Sequence, residues 1–244
     1  MGLRVGGHRG AGALAPENTV AALETAAGLG VDYVELDVAL TADGVLILMH
    51  DADLDRTTDG HGRVAERTLA ELEDLDAAVG FWGRFGRLGV PSLDEVLAWF
   101  AVHPAVGATL EAKARGTGGP LARAIAASPV RDGLAICSFE LDELRAAHAG
   151  DPSVARMLIV DRDLADADAT PDELIGRGLA AGVDAINVAP GWATPALVSA
   201  AHAAGLAVSA GTVNDAAGIR RLVRLGVDYV DSDRPDVTVP ALRG

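Results

Sequence analysis

The order of apolar and polar positions predicts short strands separated by amphipathic helices. Residues 3–7 and 33–38 are apolar runs typical of strands. A helical pattern lies between them, beginning near Thr19 and ending at Gly30. Asn18 is the residue type expected at the N-cap of this helix, and Gly30 is the type expected at its C-terminal end.

From residue 91 onward the alternation is regular. Helices are predicted over residues 93–100, 121–127, 141–149, 171–181, 194–204 and 216–225. Strands are predicted over residues 108–111, 135–139, 156–160, 185–188, 207–210 and 229–231. Strands that alternate with helices form a parallel sheet, because two parallel strands need a crossover connection.

Eight predicted strands belong to this parallel series once residues 3–7 and 33–38 are included. Eight is the number that a (β/α)8 TIM barrel requires. An open, doubly wound sheet is the alternative, and it would carry a glycine-rich phosphate loop after its first strand. Residues 6–10, Gly-Gly-His-Arg-Gly, lack that glycine spacing. We therefore predict an α/β barrel that forms one domain over residues 1–244.

A ninth strand, predicted over residues 45–49, follows the second strand after a short turn. So short a connection cannot cross over, so the two strands should form an antiparallel hairpin. If Thr41 pairs with Gly44, continuing the register places Glu35 opposite His50.

Residues 51–90 break the alternation and are interpreted as a small insertion after the hairpin. The pattern predicts a short helix over residues 70–78 and an aromatic loop over residues 81–85. Two roles remain open for this loop, namely lining a binding pocket and packing the insertion onto the barrel.

The net charge, the length of the apolar runs and the cysteine count make several classes of protein function improbable for this chain. The net charge of −15 argues against nucleic-acid binding and against adhesion to anionic membranes. No apolar run has the length of a membrane span, so we expect no stable membrane insertion. Cys137 is the only cysteine, which excludes an internal disulfide, and we expect no signal peptide because the predicted first strand begins close to the N-terminus. We expect a cytoplasmic protein; nothing in the pattern selects an oligomeric state.

Acidic residues stand where two barrel strands end. Catalytic groups of TIM barrels lie at the C-terminal ends of the strands, and Glu35, Asp37 and Glu111 occupy such positions. Three carboxylates form an all-oxygen set suited to one Mg²⁺ or Ca²⁺ ion, and the absence of histidine argues against zinc. The alternative is that these acids form ion pairs with Arg9 and Lys113. The same two cations are the candidates for binding an anionic substrate.

His8 and His50 are the candidates for proton transfer, because imidazoles exchange protons near neutral pH. A single histidine after a strand more often has a structural role. The hypothesis of proton transfer therefore depends on both histidines and not on either one alone. Asp51 is expected to orient His50, and Glu17 is expected to orient Arg9 or to balance its charge.

Four short motifs occur in a fixed order: His8-Arg9-Gly10, Pro16-Glu17-Asn18-Thr19, Glu35-Leu36-Asp37 and His50-Asp51. Together with residues 91–97, 111–113, 138–139 and 231–235, they resemble the glycerophosphodiester phosphodiesterase family over nearly the whole chain.

The resemblance implies an enzyme that hydrolyses a small-molecule phosphodiester to glycerol 3-phosphate and an alcohol. It implies metal binding by Glu35, Asp37 and Glu111, with attack by the neighbouring glycerol hydroxyl through a cyclic phosphate. His8 and His50 would act as general acid and base, and their order is left open.

The chain departs from the family pattern at Gly211, where a tryptophan is usual, so the headgroup preference is left open. Two alternatives remain. One is a related phosphodiesterase directed at lysophospholipids, and the other is a catalytically silent barrel that binds phosphate ligands.

Overall fold

The computed structural model describes residues 2–81, 83–160 and 170–244. The strands are β1 (Arg4–His8), β2 (Tyr33–Leu40), β3 (Leu46–Leu48), β4 (Gly107–Ala112), β5 (Leu134–Ser138), β6 (Ala155–Val160), β7 (Ala185–Val188), β8 (Ala207–Gly211) and β9 (Tyr229–Ser232). The helices are α1 (Val20–Gly28), α2 (Leu69–Leu72), α3 (Leu93–Val102), α4 (Gly118–Ala127), α5 (Leu141–Gly150), α6 (Pro171–Ala181), α7 (Pro195–Ala203), α8 (Ala216–Leu225) and α9 (Pro235–Arg243).

Eight parallel strands close into a barrel. Strand β1 pairs in parallel with both β2 and β9, and the other strands follow in the order β9, β8, β7, β6, β5, β4 and β2. Helices connect successive strands and cover the outside. The predicted TIM barrel is confirmed.

The main core lies between the strands and the surrounding helices. Leu36, Leu110 and Ile136 are fully buried on adjacent strands, and helix residues such as Leu23 and Leu121 pack into the same cluster. Burying one such side chain stabilises the fold by about 1.5–3 kcal/mol. In the described ranges, no helix is long and apolar enough to cross a bilayer.

Helix α1 begins one residue later than the sequence indicates. Thr19 is the N-cap, and its hydroxyl accepts a hydrogen bond from the backbone N–H of Ala22. Asn18 has a φ of 57°, in the left-handed region, so the prediction that it caps the helix is wrong. Its side chain points instead to Asp37 on β2.

The hairpin forms, but its register differs from the predicted one. Strand β3 pairs with β2 in antiparallel fashion through Val38↔Leu48 and Leu40↔Leu46, and the Met49 N–H donates to the Asp37 carbonyl. His50 lies beyond the end of β3, so the predicted pairing of Glu35 with His50 is wrong.

Residues 51–81 and 83–90 form a largely irregular segment, and Leu54, Val64 and Leu72 from it share a second, small core with Ala39 and Ile47 of the hairpin. The helix predicted over residues 70–78 is limited to the single turn α2. Asp76 explains the early end, because its carboxylate accepts the backbone N–H groups of Ala78 and Leu88 and so competes with helix formation.

The predicted aromatic loop is described only in part. Phe81 and Phe85 pack edge to face, with ring centroids 5.9 Å apart, and Trp82 lies outside the described residues.

Candidate active site

Three buried carboxylates converge at the C-terminal end of the barrel. Glu35 and Asp37 are two residues apart on β2 and therefore share a face. Asp37 lies opposite Glu111 in the β2–β4 register. One oxygen from each of the three side chains lies within 4.8 Å of the others, which brings the predicted ligand set together.

The pKa values of Glu35 and Glu111 reflect the crowding of the cluster. Burial and the charge of Asp37 raise the pKa of Glu35 well above its usual value. The same two causes raise the pKa of Glu111 to about 7, although Lys113 opposes the shift. Buried carboxylates that repel one another are stabilised by a cation placed between them. Hard oxygen donors in this arrangement fit a Mg²⁺ or Ca²⁺ ion.

Arg9 and Lys113 border the acidic group. The Lys113 Nζ atom lies 3.2 Å from Glu111 and 3.8 Å from Asp37. Arg9 donates its backbone N–H to Glu35, and its Nη1 donates to Glu17 at 2.8 Å. Among the described residues, the buried Nε atom of Arg9 has no hydrogen-bond partner, although it lies 3.5 Å from Asp37. The ion pairs that the sequence analysis gave as the alternative to metal binding are therefore present. N–H donors also remain that can bind an anion.

His8 is held by a carboxylate that the sequence analysis did not assign. Its Nδ1 atom lies 2.7 Å from Asp233, and its Nε2 atom lies 3.7 Å from Glu35. Burial lowers the pKa of the imidazole, but the hydrogen bond to Asp233 and the charge of Glu35 raise it more, to about 9. Asn214 fixes Asp233 through two hydrogen bonds of 2.8 Å. The sequence feature that could have identified Asp233 as a site residue is its position directly after the last strand.

Asn18 also contributes to the site. Its Nδ2 donates to the Asp37 carboxylate at 2.8 Å, and its Oδ1 accepts the Asp37 backbone N–H at 3.0 Å. Both contacts fix the orientation of a candidate metal ligand, and the left-handed backbone at Asn18 allows them.

His50 joins the site through a chain of ion pairs. Its Nδ1 lies 2.5 Å from Asp51, as expected for an orienting carboxylate. Arg56 donates to Asp51 at 2.6 Å and to both oxygens of Glu17 at 2.8 Å. Because Glu17 also accepts from Arg9, a continuous polar network connects the two sides of the site. Sequence reasoning missed Arg56, since no local pattern identifies its two partners.

A cavity of about 120 Å³ opens beside these groups. Its lining includes His8, Glu35, Glu111, Phe139 and Gly211. His50 instead borders a small neighbouring cleft, together with Glu17 and Asn18. The cavity thus places an imidazole and the three carboxylates of Glu35, Glu111 and Asp231 against one small space, which suits acid–base chemistry on a polar ligand.

Comparison with known families gives one match over most of the chain. Residues 8–237 match the glycerophosphoryl diester phosphodiesterase family. A glycerophosphodiester phosphodiesterase from Bacillus subtilis is 32% identical over 254 residues, covering 94% of this chain and 83% of that protein. One from Bacillus altitudinis is 32% identical, covering 95% of each chain.

Solved structures are similar over nearly the full length. A glycerophosphodiester phosphodiesterase from Agrobacterium tumefaciens superimposes with a TM-score of 0.85 at 32% identity, covering 98% of this chain and 99% of that one. A phosphodiesterase from Oleispira antarctica, in complex with the product sn-glycerol-3-phosphate, has a TM-score of 0.86 at 30% identity, covering 99% of this chain and 97% of that one.

Proposed function

Because the chain belongs to the glycerophosphoryl diester phosphodiesterase family, we propose that it is a metal-dependent enzyme that hydrolyses glycerophosphodiesters to glycerol 3-phosphate and an alcohol. The family assignment makes it a phosphoric diester hydrolase. The observation that carries the finer proposal is the cluster of Glu35, Asp37 and Glu111 beside a cavity lined by His8. We propose further that residues 1–244 act as one catalytic unit.

Glu35, Asp37 and Glu111 would hold one divalent cation, Mg²⁺ or Ca²⁺. When bound, such an ion polarises a phosphate oxygen and lowers the pKa of a coordinated hydroxyl. Asn18 keeps Asp37 in position for this role through its two hydrogen bonds.

Arg9 and Lys113 would bind the phosphate group. Both cations lie at the edge of the acidic cluster and retain N–H donors that can reach an anion. In a protein with a net charge of −15, these local cations offset the general repulsion of an anionic substrate.

His8 and His50 would transfer the protons. Each imidazole has a carboxylate at Nδ1, which leaves Nε2 directed away from that partner for exchange with substrate. One histidine would take the proton of the glycerol hydroxyl next to the scissile ester, and the oxygen of that hydroxyl would bond to phosphorus to form a cyclic phosphate. The bond from phosphorus to the leaving alcohol would break, and the other histidine would give a proton to the departing alkoxide. In the second step water opens the cyclic phosphate, and the two roles reverse.

The size of the cavity favours a small polar substrate. A space of about 120 Å³ accommodates a phosphate and a glycerol unit more readily than a lipid chain. Gly211 forms part of the cavity wall, so a substrate bound there would lie beside a residue without a side chain. We therefore prefer soluble glycerophosphodiesters to lysophospholipids.

The test is release of choline from glycerophosphocholine and from lysophosphatidylcholine, with EDTA, Mg²⁺ or Ca²⁺. We expect metal-dependent turnover of glycerophosphocholine, abolished in Glu111→Gln and retained in the exposed control Glu73→Gln. Turnover that persists in EDTA and in Glu111→Gln would contradict the metal assignment. Preference for lysophosphatidylcholine would contradict the substrate assignment.

A further inference from the structure

A fourth buried carboxylate borders the catalytic cavity, and none of the roles proposed for the metal, the phosphate or the proton transfers uses it. Asp231, on β9, is 4% exposed and lines the cavity together with His8, Glu35 and Glu111. It lies outside the group of three acids whose oxygens converge within 4.8 Å. Burying a carboxylate is costly unless it is hydrogen-bonded, so the partners of this acid determine its role.

Asp231 lies deeper in the barrel than His8. In the parallel pairing of β9 with β1, Asp231 lies opposite Gly6, and His8 is two residues further along β1. Two residues of a strand span about 7 Å along its axis. The Asp231 carboxylate therefore forms part of the floor of the cavity, and His8 lies nearer its mouth.

Two neutral groups orient the Asp231 carboxylate. Tyr33 donates its hydroxyl to Oδ1 at 2.8 Å, and Asn187 donates its Nδ2 to Oδ2 at 3.2 Å. The strand between Tyr33 and Asp231 contributes Gly6, where a Cβ atom would overlap the tyrosine ring. A carboxylate offers about four acceptor positions, so these two contacts leave positions for a ligand.

Gly211 keeps one side of this carboxylate open to the cavity. It lies opposite Asp231 in the β8–β9 register and also lines the cavity. A Cβ atom at this position would lie 3.1 Å from Asp231 Oδ2, closer than such atoms normally approach. A larger side chain here, such as the tryptophan expected from the family pattern, would compete with Asp231 for the same space.

The lining of the cavity separates a place for the phosphate from a place for an uncharged group. Arg9 and Lys113, the proposed phosphate-binding cations, are not among its described lining residues, and neither is any other arginine or lysine. The polar groups at its floor are Asp231 and Asn187. A carboxylate acceptor repels an anion but accepts a hydrogen bond from a hydroxyl group.

The proposed reaction determines which part of the substrate reaches this floor. The glycerol hydroxyl that attacks phosphorus would lie beside Glu35, Glu111 and His8, all of which line the cavity. The leaving oxygen lies roughly opposite the attacking oxygen at phosphorus, so the headgroup is directed away from the glycerol unit. The terminal hydroxyl of glycerol is then the group that extends beyond the reacting atoms into the cavity.

We propose that Asp231 is a specificity-determining residue that accepts a hydrogen bond from the terminal hydroxyl of the glycerol unit. The inference rests on the proposed function, because it assigns one part of that substrate to this cavity. Asn187 orients the carboxylate and would lie beside the same hydroxyl. A substrate that lacks this hydroxyl would leave a buried acceptor unpaired, which is how a polar site rejects such a substrate.

The test compares glycerophosphocholine with a deoxy analogue, the phosphocholine ester of propane-1,2-diol at its primary hydroxyl. The analogue retains the hydroxyl that attacks phosphorus and lacks only the terminal one. Loss of the phosphodiester signal in ³¹P NMR, with Mg²⁺ or Ca²⁺ present, measures kcat/KM for both substrates. We expect the wild type to prefer glycerophosphocholine by about 100-fold or more.

Two variants form a matched pair. Tyr33→Phe removes the buried hydroxyl but leaves the acceptor that faces the cavity, so the preference should remain. Adding Asp231→Leu to this variant removes the carboxylate without leaving the Tyr33 hydroxyl unpaired, and Asn187 retains Ser209 as an acceptor at 3.2 Å. In the double variant the preference should fall to less than about threefold. A general structural defect would instead lower kcat/KM for both substrates and leave their ratio unchanged.

Asp231→Asn tests the same point if the double variant does not fold. This change keeps the shape of the side chain and removes its charge. The preference for glycerophosphocholine should then be about tenfold lower than in the wild type, because a charge-assisted hydrogen bond is replaced by a neutral one.

Three results would overturn this inference alone. One is equal turnover of the two substrates by the wild type, and another is the same preference in Tyr33→Phe and in the double variant. The third concerns the ethyl ester of glycerol 3-phosphate, which has an uncharged headgroup. If the wild type prefers glycerophosphocholine to this ester and the double variant does not, Asp231 contacts the cationic headgroup instead.

Failure of the proposed function gives a different result. Folded wild-type protein that hydrolyses none of these diesters in the presence of either metal ion would contradict the proposed function, and the role of Asp231 would fail with it.

Discussion

The Nδ1 atom of His8 lies 2.7 Å from the carboxylate of Asp233, although 225 residues separate them in the sequence. His8 ends β1, and Asp233 follows β9 directly. The pairing of these two strands closes the barrel, so the same closure forms the contact between imidazole and carboxylate.

Asp233→Asn tests whether this contact serves catalysis. We expect kcat to fall by about 10- to 100-fold, because carboxylates that orient a functional group commonly have effects of that size. The control is Asp236→Asn, which removes a carboxylate that pairs with Arg234. Equal activity of both variants, measured as glycerol 3-phosphate release, would show that His8 does not depend on Asp233.

Arg56→Gln tests the network between Arg9 and His50. Removing the guanidinium leaves Glu17 and Asp51 without their shared partner, so we expect kcat/KM to fall by about tenfold or more. Arg63→Gln, in the same insertion, serves as the matched control. The account of the network is wrong if the two variants have the same kcat/KM as the wild type.

Asn18 allows a prediction that separates backbone strain from side-chain contacts. Asn18→Gly and Asn18→Ala both remove the hydrogen bonds to Asp37, but only alanine is strained at a φ of 57°. We expect both variants to be destabilised, and alanine to be less stable than glycine by about 1–2 kcal/mol. Urea unfolding measures the difference, and a more stable alanine variant would contradict the backbone assignment.

Metal-free protein should lose stability as the pH rises from 5 to 7.5. Burial and the charge of Asp37 raise the pKa of Glu111 from 4.5 to about 7, so the folded state binds this proton more tightly than the unfolded chain. The stabilisation is complete below pH 4.5 and is lost as the pH passes through about 7.

Thermal unfolding in EDTA measures this effect, and each 1 kcal/mol lost lowers Tm by roughly 2–4 °C for a chain of this size. In Glu111→Gln the decrease over this pH range should be smaller. A divalent cation should restore Tm in the wild type at pH 7.5 by more than in the variant. The same pH dependence in both proteins would contradict the assignment.

The alternation of apolar runs predicted the barrel, because each strand and helix has a local signature. The hairpin register was not predictable in this way. Thr41 pairs with Val45 through its backbone N–H, and Gly44, at a φ of 78°, allows a three-residue loop between them. One additional loop residue was enough to shift the register.

Residues with distant partners were the least predictable. Asn18 and Thr19 are both good N-cap types, and the contact that distinguishes them is made to Asp37 on the next strand. Arg56 and Asp233 likewise have roles that depend on contacts formed only in the folded barrel. The candidate ligands were predictable because strand alternation places Glu35 and Asp37 on one face.

The most direct test of proton transfer by the histidine pair compares two substrates that differ only in leaving group. Glycerophosphocholine needs a proton on its departing alkoxide, whereas glycerol 3-phosphate esterified with p-nitrophenol releases a phenolate that does not. kcat is measured for wild type, His8→Ala and His50→Ala on both substrates. The account predicts that both variants fail on glycerophosphocholine and that one of them recovers most of its activity on the nitrophenyl ester. Two variants that retain wild-type kcat on glycerophosphocholine, or that lose activity equally on both substrates, would contradict it.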